Sequence, residues 1–144
     1  MNPNLVYLTQ TDTTVGFLSR DYKKLNKIKN RDISKKVLME VDSLKTLKKF
    51  TRVPKKYRKF IRNAKKTTFI YSNKKSFRVI KDERHLKFLK KFSYLYSTSA
   101  NLTSKSFDKE WAFKKADVIV GNVFYEGRAS TIIKLGKNRC KKLR

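Results

Sequence analysis

The sequence of 144 residues is poor in several residue types that shape many small proteins, with one cysteine, one histidine, two prolines and four glycines. The single Cys140 excludes a disulfide framework within the chain and a metal site built on cysteine pairs. The sequence has no apolar run of about 18 residues, and its first residues, MNPNLVYLTQ, lack the charged and apolar regions of a signal peptide. We therefore expect a cytoplasmic protein that does not interact with a membrane.

Acidic residues are also scarce, with eleven Asp and Glu against thirty-eight Lys and Arg and a formal net charge of +27. Because so few carboxylates are available, we expect no metal ion held by the protein itself. A surface that repels itself so strongly favours a polyanionic partner, and nucleic acid is the leading candidate. The chain still has 39% hydrophobic residues, including ten Phe and seven Tyr, which is enough for a folded core.

Hydrophobic periodicity predicts strands that alternate with helices. Apolar and β-branched runs predict strands near residues 5–8, 37–40, 92–97, 116–121 and 130–135, and an antiparallel hairpin over 67–81. Helical spacing predicts helices over 21–29 and 82–92, and after Ser43, Pro54 and Asp108. This alternation predicts one α/β domain over residues 1–144, a mixed parallel and antiparallel sheet with flanking helices. We expect residues 135–144 to form a flexible basic tail.

The motifs of several large catalytic classes are missing. The sequence has no G-x-x-x-x-G-K-[ST] loop, no G-x-G-x-x-G and no H-E-x-x-H. The histidine, His85, lies on a predicted helix between charged neighbours, and no Ser or Cys nucleophile motif accompanies it, so we expect it at the surface or its boundary. A nucleotide site in this chain must therefore rest on loops, hydroxyls and cations.

Three segments place hydroxyls or cations next to predicted strand ends. They are TDTTVG at residues 11–16, KIKNRDISKK at 27–36 and STSAN at 97–101. In open α/β sheets, ligands collect at the carboxyl ends of strands, where loops supply donors. Taken singly, each segment also has an ordinary interpretation, because hydroxyls at loop starts satisfy backbone groups and basic runs are usually solvated.

Taken in order along the chain, these segments resemble the motifs of the YrdC-like threonylcarbamoyl-adenylate synthases. The matching segments are TQTDTTVGF, KIKNRD with Lys36 close behind, KKTTFIY, SFRVIKD, STSANLTS and GRASTIIKL. The resemblance covers nearly the whole chain, and STSAN is its most specific element. It implies a twisted α/β sheet with a concave, positively charged cavity. There L-threonine, bicarbonate and ATP would react to give threonylcarbamoyl-AMP and pyrophosphate for the N6-threonylcarbamoyladenosine modification of tRNA.

The resemblance also implies roles for individual residues. The catalytic cations would be Lys29, Arg31 and Lys36. Threonine would be bound by Thr11, Thr13, Arg78, Ser97 and Ser130. The nucleotide would be bound by Lys29, Arg31, Thr68, Ser99, Asn101 and Arg144. Mg²⁺ would arrive on the ATP phosphates, and the tRNA threonylcarbamoyl transferase machinery would be the partner that uses the product.

Departures from the family pattern leave two alternatives open. Gln10 and Asp32 stand where the family usually has proline, and NAKKTTF lacks the P-G-P that normally precedes the threonine. The first alternative is a non-catalytic RNA-binding module of the same fold, which would bind double-stranded RNA or tRNA. The second is a ribosome-associated or structural basic protein outside the family. A steep loss of RNA affinity with salt would favour either alternative without excluding the enzyme.

Overall fold

The computed structural model describes residues 1–144 and divides into two compact units. The first unit consists of Met1–Val37 and Leu95–Ala129, and the second of Leu38–Tyr94 and Ser130–Arg144. Each unit contains parallel and antiparallel strand pairs together with helices. The predicted α/β class with a mixed sheet and flanking helices is therefore confirmed. The organisation of residues 1–144 as a single domain stays a prediction.

The elements are short. The strands are β1 Tyr7–Gln10, β2 Val15–Ser19, β3 Leu38–Val41, β4 Thr67–Ile70, β5 Ser76–Val79, β6 Tyr94–Ser99, β7 Val118–Ile119, β8 Thr131–Leu135 and β9 Cys140–Lys142. The helices are α1 Tyr22–Ile28, α2 Leu44–Leu47, α3 Arg58–Asn63, α4 Glu83–Leu89 and α5 Lys109–Lys115, with a 3₁₀ turn at Lys55–Tyr57. None of these helices combines the length and the apolar composition that crossing a bilayer requires.

The strands of the first unit lie in the order β7, β1, β2, β6. β1 is parallel to β7 and antiparallel to β2, and β2 is antiparallel to β6. Its core joins side chains from both ends of the unit's sequence, with Phe17 of β2 packing edge-on against Trp111 of α5 at 5.7 Å between ring centroids. The buried members of this core are Val6, Leu8, Val15, Phe17, Leu25, Val37, Ala100 and Ala112.

The sequence did not predict strand β2, which begins after the turn that follows β1. Its second residue, Gly16, pairs with Thr9 of β1 and with Ser99 of β6. A Cβ atom at Gly16 would lie 3.1 Å from the carbonyl oxygen of Thr98, so the backbone of β6 approaches this glycine closely. Gly and Ser have weak strand propensity, and β2 forms because strands on both sides satisfy its backbone.

The strands of the second unit lie in the order β3, β5, β4, β8, β9. β3 is parallel to β5, β4 is antiparallel to β5 and parallel to β8, and β8 is antiparallel to β9. The predicted hairpin is therefore confirmed as β4 and β5, with Phe69 opposite Phe77. Both rings are buried, and their burial supplies much of the apolar core of this unit.

The scarce acidic residues mark the starts of helices. The Asp21 carboxylate accepts from the N–H groups of residues 23 and 24, and the Asp82 carboxylate from those of residues 84 and 85. Asp108 accepts from Trp111 N–H, and the Ser43 hydroxyl oxygen accepts from Thr46 N–H. Such caps satisfy backbone donors that a helix leaves unpaired at its start, so the predicted starts at these positions are confirmed.

Several predicted boundaries were wrong. The first strand is Tyr7–Gln10 and not 5–8, and the helix after Asp82 ends at Leu89, before Ser93 with its positive φ of 70°. The segment 130–135 does not contain the last strand. Part of the expected basic tail forms β9, because Gly136 N–H donates to the Arg139 carbonyl oxygen at 2.9 Å and turns the chain back along β8.

Candidate functional site

The Lys29 ammonium group joins two of the predicted motifs. Lys29 follows α1, is only 5% exposed, and donates to the Ser99 carbonyl oxygen at 2.9 Å. It also contacts Ser99 Oγ at 3.3 Å, Asn101 Oδ1 at 3.2 Å and the Asn101 carbonyl oxygen. These partners lie 70 and 72 positions further along the chain. The fold therefore brings the K-x-R and S-x-N motifs into direct contact.

The oxygens around Lys29 are all neutral. Two are backbone carbonyls, one is a hydroxyl and one is an amide oxygen, and they share three ammonium protons. Burial, with a smaller contribution from the nearby Arg31 charge, lowers the pKa of Lys29 to about 8. Hydrogen bonds donated to these four oxygens hold the ammonium group in place without cancelling its charge.

Arg31 is fixed by a side chain that the sequence analysis did not identify. Its Nε donates to Asn26 Oδ1 at 2.6 Å, and its Nη2 donates to Thr98 Oγ1 at 3.3 Å. The fully buried Asn26 also donates to the carbonyl oxygens of Ile33 and Lys35. The sequence signal for Asn26 was a polar residue next to Leu25 on the apolar face of α1. Burial lowers the pKa of Arg31.

Lys36, the third predicted cation, is exposed on the segment between α1 and β3. The buried side chains Asn26 and Lys29 and the half-buried Arg31, with their partners Thr98, Ser99 and Asn101, are called the Lys29 cluster below. The structure thus separates the two K-x-R cations, which are held by hydrogen bonds, from the exposed lysine that follows them.

Thr11 and Thr13 lie together in the buried turn between β1 and β2. The Thr11 hydroxyl donates to the Thr14 carbonyl oxygen and accepts from Thr13 N–H at 3.2 Å, and the two hydroxyl oxygens are 3.3 Å apart. The ordinary role of closing a turn therefore accounts for part of their hydrogen bonding. Ser97 is buried on β6, paired with Leu18 of β2.

A small cavity of about 180 Å³ opens beside the S-x-N motif in the first unit. Ligand sites are usually larger, roughly 300–1,000 Å³, so this cavity suits only a fragment of a nucleotide. Gly127 is required near its wall, because a Cβ atom there would collide with the Thr13 carbonyl oxygen. The lining residues are Thr14, Val15, Ser99, Ala100, Asn101, Lys105, Phe107, Glu126 and Gly127.

Arg78, the predicted partner of the threonine carboxylate, already has a carboxylate of the protein beside it. Arg78 on β5 lies directly across from Glu40 on β3, and its Nη2 is 3.2 Å from Glu40 Oε2. Both side chains are buried, Glu40 completely. A single acid in the apolar run VLMEV was the signal for this residue, and the sequence analysis did not use it.

The prediction that His85 lies at the surface or its boundary was wrong. His85 is 3% exposed, and its Nε2 lies 2.5 Å from Glu40 Oε1. α4 turns His85, Phe88 and Leu89 inward, which is helical spacing, while the charged neighbour Arg84 is exposed. The charged neighbours in sequence were therefore a poor guide, because they lie on the other face of the helix.

The remaining predicted residues of the second unit join the same network. Arg78 Nη1 lies 3.5 Å from Thr68 Oγ1, and Thr68 Oγ1 lies 2.9 Å from Ser130 Oγ. Arg144 donates through Nε to the Ser130 carbonyl oxygen at 2.8 Å and through Nη2 to Ser130 Oγ at 3.3 Å. This continuous chain of six residues is called the Arg78 cluster: Glu40, Thr68, Arg78, His85, Ser130 and Arg144.

Comparison with protein-family models places the chain by its sequence. The model of the Sua5/YciO/YrdC family, described as "Telomere recombination", matches residues 6–144. The chain belongs to the Sua5/YciO/YrdC family. The predicted family is thereby confirmed over nearly the whole chain. A search among curated protein sequences finds no match.

Solved structures of this family share the fold of the chain. P. abyssi Sua5 complexed with L-threonine superposes with a TM-score of 0.77 at 16% identity, over 97% of this chain and 50% of that one. E. coli YciO gives a TM-score of 0.78 at 16% identity, over 98% of this chain and 82% of that one. Full-length HypF gives 0.74 at 12% identity, over 97% of this chain and 26% of that one. The chain therefore spans about half the length of P. abyssi Sua5.

Proposed function

We propose that this chain is an L-threonylcarbamoyladenylate synthase, which makes threonylcarbamoyl-AMP and pyrophosphate from L-threonine, bicarbonate and ATP. The observation that carries this proposal is the contact of the Lys29 ammonium group with both Ser99 and Asn101. It joins two motifs that a nucleotide site of this family would need together. Family membership and the L-threonine bound by P. abyssi Sua5 support the proposal.

The Lys29 cluster would bind the triphosphate of ATP. Lys29 and Arg31 are held by neutral side chains and carbonyls, so their positive charge stays available to phosphate oxygens. Ser99 and Asn101 would give direction to these contacts through their hydroxyl and amide groups. Lys36, which is exposed, would join the phosphates from the following loop. That Thr68 and Arg144 contact the nucleotide stays a prediction of the family resemblance.

L-Threonine would be bound through its carboxylate by Arg78. The hydroxyl of Ser130, which lies next to Thr68, would complete this contact from the second unit. Both side chains are buried, and buried polar groups orient a small ligand more strictly than exposed ones. That Thr11, Thr13 and Ser97 also contact threonine stays a prediction of the family resemblance.

The reaction needs positioning more than proton transfer. The threonine amine and bicarbonate would give a carbamate and water, a carbamate oxygen would attack the α-phosphorus of ATP, and pyrophosphate would leave. No group of three or more His, Cys, Asp or Glu side chains lies together in the structure, so the magnesium ion would enter as part of the substrate, on the phosphates of ATP. The product would pass to a tRNA threonylcarbamoyl transferase.

A direct assay tests this proposal. Purified protein is supplied with labelled L-threonine, bicarbonate, ATP and Mg²⁺, and threonylcarbamoyl-AMP and pyrophosphate are measured. We expect product that requires every substrate, and a loss of about 10²-fold in rate in Lys29→Met. The matched control is Lys27→Met, which removes the same charge from an exposed position on the same helix and is expected to keep the rate. Absence of product from folded wild-type protein would reject the enzyme.

A second candidate function, RNA binding without catalysis, is favoured by the basic surface of the second unit. Residues 43–81 contain fifteen Lys and Arg and no Asp or Glu. Eleven of these cations lie exposed along α2, the 3₁₀ turn, α3 and the loop after it. Lys56 Nζ donates to the Asn138 carbonyl oxygen at 2.6 Å, so the turn between β8 and β9, with its own Lys137 and Arg139, continues this surface.

Charge reversal on this surface tests the second candidate. We expect Lys59→Glu with Arg62→Glu to weaken binding of double-stranded RNA or tRNA by about tenfold or more and to flatten its dependence on salt. Lys23→Glu with Lys27→Glu makes the same change in net charge on exposed positions of α1 in the first unit. Equal weakening by the two pairs would show that only total charge matters, and would reject a located RNA surface.

A further inference from the structure

The Arg78 cluster contains a carboxylate of the protein, Glu40, at the place where a ligand carboxylate is proposed to bind. Its charged members at neutral pH are the guanidinium groups of Arg78 and Arg144 and the carboxylate of Glu40, joined by the uncharged hydroxyls of Thr68 and Ser130. Two positive charges and one negative charge leave one net positive charge when His85 is neutral. That sum matches a ligand group carrying one negative charge.

We propose that Glu40, held in place by His85, is a specificity-determining residue that makes the Arg78 cluster favour a monoanionic carboxylate over a doubly charged phosphate. This inference rests on the proposed function, because it concerns the same threonine site. It goes beyond that function by assigning a role to two residues outside the family motifs named above. Its basis is the geometry of the buried Glu40 carboxylate.

The hydrogen bonds divide the Arg78 guanidinium into two sides. Its Nη2 is directed to Glu40 Oε2 at 3.2 Å, while its Nη1 lies toward Thr68 Oγ1 at 3.5 Å. Thr68 continues to Ser130, so the hydroxyls and the Arg78 Nη1 atom form one side of the cluster. A ligand anion would approach from this hydroxyl side, with the carboxylate of Glu40 on the opposite side of the guanidinium.

Glu40 acts on the ligand through charge. An anion that binds Arg78 is attracted by the guanidinium and repelled by the buried Glu40 carboxylate behind it. Attraction and repulsion both rise in proportion to the ligand's charge, whereas the cost of removing an ion from water rises roughly with the square of its charge. By cancelling one of two positive charges, Glu40 therefore shifts the balance from a doubly charged phosphate toward a carboxylate. Burial strengthens this discrimination, because little solvent lies between the charges.

His85 acts through Glu40 as a positioning residue. An ionised carboxylate only accepts hydrogen bonds, so His85 Nε2 carries the proton and donates to Glu40 Oε1. The two oxygens of Glu40 are thus held from opposite sides by His85 and Arg78. With Oε1 fixed, the carboxylate presents Oε2 to the guanidinium in one orientation.

The experiment is an NMR titration of the full chain, observing the side-chain signals of Arg78, assigned by their loss in Arg78→Lys. The probes are acetate, L-threonine and inorganic phosphate at about pH 8, where inorganic phosphate is mostly doubly charged. We expect the wild type to bind acetate and L-threonine at lower concentration than phosphate. In Glu40→Gln, phosphate binding should strengthen about tenfold relative to acetate binding, measured as the ratio of the two dissociation constants. His85→Ala should move the ratio less in the same direction, and His85→Gln, which keeps a donor, should restore it.

Two control variants separate this effect from charge and from folding. Glu83→Gln removes an exposed carboxylate of α4 and changes the net charge by the same amount, so it should leave the ratio unchanged. Tyr71→Phe removes a buried hydroxyl of the second unit that has no hydrogen-bond partner, and it should leave both ratio and fold unchanged.

The possible outcomes are distinct. A wild type that prefers phosphate overturns the inference whether or not Glu40→Gln folds, and so does an equal ratio in Glu40→Gln and Glu83→Gln. Selection of acetate over phosphate without any binding of L-threonine supports the role of Glu40 and rejects the proposed threonine site. Binding of L-threonine, together with an unchanged ratio in Glu40→Gln, supports the proposed threonine site and rejects the role of Glu40.

Discussion

The two clusters hold a buried cation in opposite ways. Lys29 is surrounded by neutral oxygens of Ser99 and Asn101, whereas Arg78 faces the buried carboxylate of Glu40. The first arrangement leaves the positive charge uncompensated inside the protein, and burial lowers the pKa of Lys29 in consequence. The second arrangement compensates the charge before any ligand arrives.

This difference indicates which ligand charge each cluster suits. An uncompensated cation gains most from a highly charged group such as a triphosphate, since the ligand supplies the missing negative charge. A compensated cation gains less, and the smaller net charge of its cluster suits a group with a single charge. The partners each cation already has therefore support the proposed assignment of ATP to the Lys29 cluster and of a carboxylate to the Arg78 cluster.

The largest effect is expected from Arg78→Met, which would leave the Glu40 carboxylate buried without its guanidinium partner. Breaking a buried ion pair by removing one member typically costs about 3–5 kcal/mol, so we expect a loss of this size in the free energy of unfolding. Urea denaturation followed by circular dichroism measures it. Arg62→Met, at an exposed position of α3, is the control and should change stability by less than about 0.5 kcal/mol.

The double variant Glu40→Met with Arg78→Met sharpens this result. Replacing both members of a buried ion pair by apolar residues is often nearly neutral, so the double variant should recover most of the stability lost in Arg78→Met. A double variant no more stable than Arg78→Met alone would show that the unpaired Glu40 carboxylate is not the cause of the lost stability.

A smaller loss is expected from Lys29→Met. Here no opposite charge is left behind, but the oxygens of the exposed Ser99 and the half-buried Asn101 lose their donor. Water can replace part of these hydrogen bonds, so we expect a loss of about 1 kcal/mol. The same urea denaturation measures this loss against Lys27→Met. A loss as large as that in Arg78→Met would contradict the comparison of the two clusters.

Local sequence patterns predicted most of the fold but only part of the site. The caps at Asp21 and Asp82 and the hairpin of β4 and β5 depend on residues close in sequence, so their predictions were confirmed. The sequence did not predict β2, because the stability of this strand comes from the strands on both sides and not from its own residues. The sequence did not predict β9, because a lysine-rich segment is usually solvated. Here backbone pairing with β8 makes the segment a strand.

The site residues divide in the same way. The family motifs predicted Lys29, Ser99 and Asn101 as neighbours of a ligand, and the structure brings these three into contact. Glu40 and His85 lie 45 positions apart and belong to no motif, so neither could be paired with the other from the sequence. Tertiary contacts determine which buried polar residues become partners, and a single sequence does not show those contacts.

The pH dependence of stability gives a subtler test of the uncompensated cation. The pKa of Lys29 is lowered to about 8 in the folded protein from an ordinary value of 10.5, so between these pH values the unfolded chain binds more protons. The contribution of Lys29 to stability should therefore rise as the pH increases from 8 to 10.5. The measurement is the difference in unfolding free energy between wild type and Lys29→Met, which cancels the other lysines. A difference that stays constant would contradict an uncompensated charge.

The smallest effect is expected at an ion pair that is neither buried nor part of a cluster. Lys114 Nζ lies 3.6 Å from Glu110 Oε1 on α5, and both side chains are more than 70% exposed. Water already solvates both charges, so Glu110→Gln should change stability by less than about 0.5 kcal/mol and lose even this effect in high salt. Thermal unfolding in low and high salt measures it. Removing the partner of a buried charge is expected to cost much more stability than removing the partner of an exposed charge. The desolvation of the charge that remains, and not the ion pair itself, sets this cost.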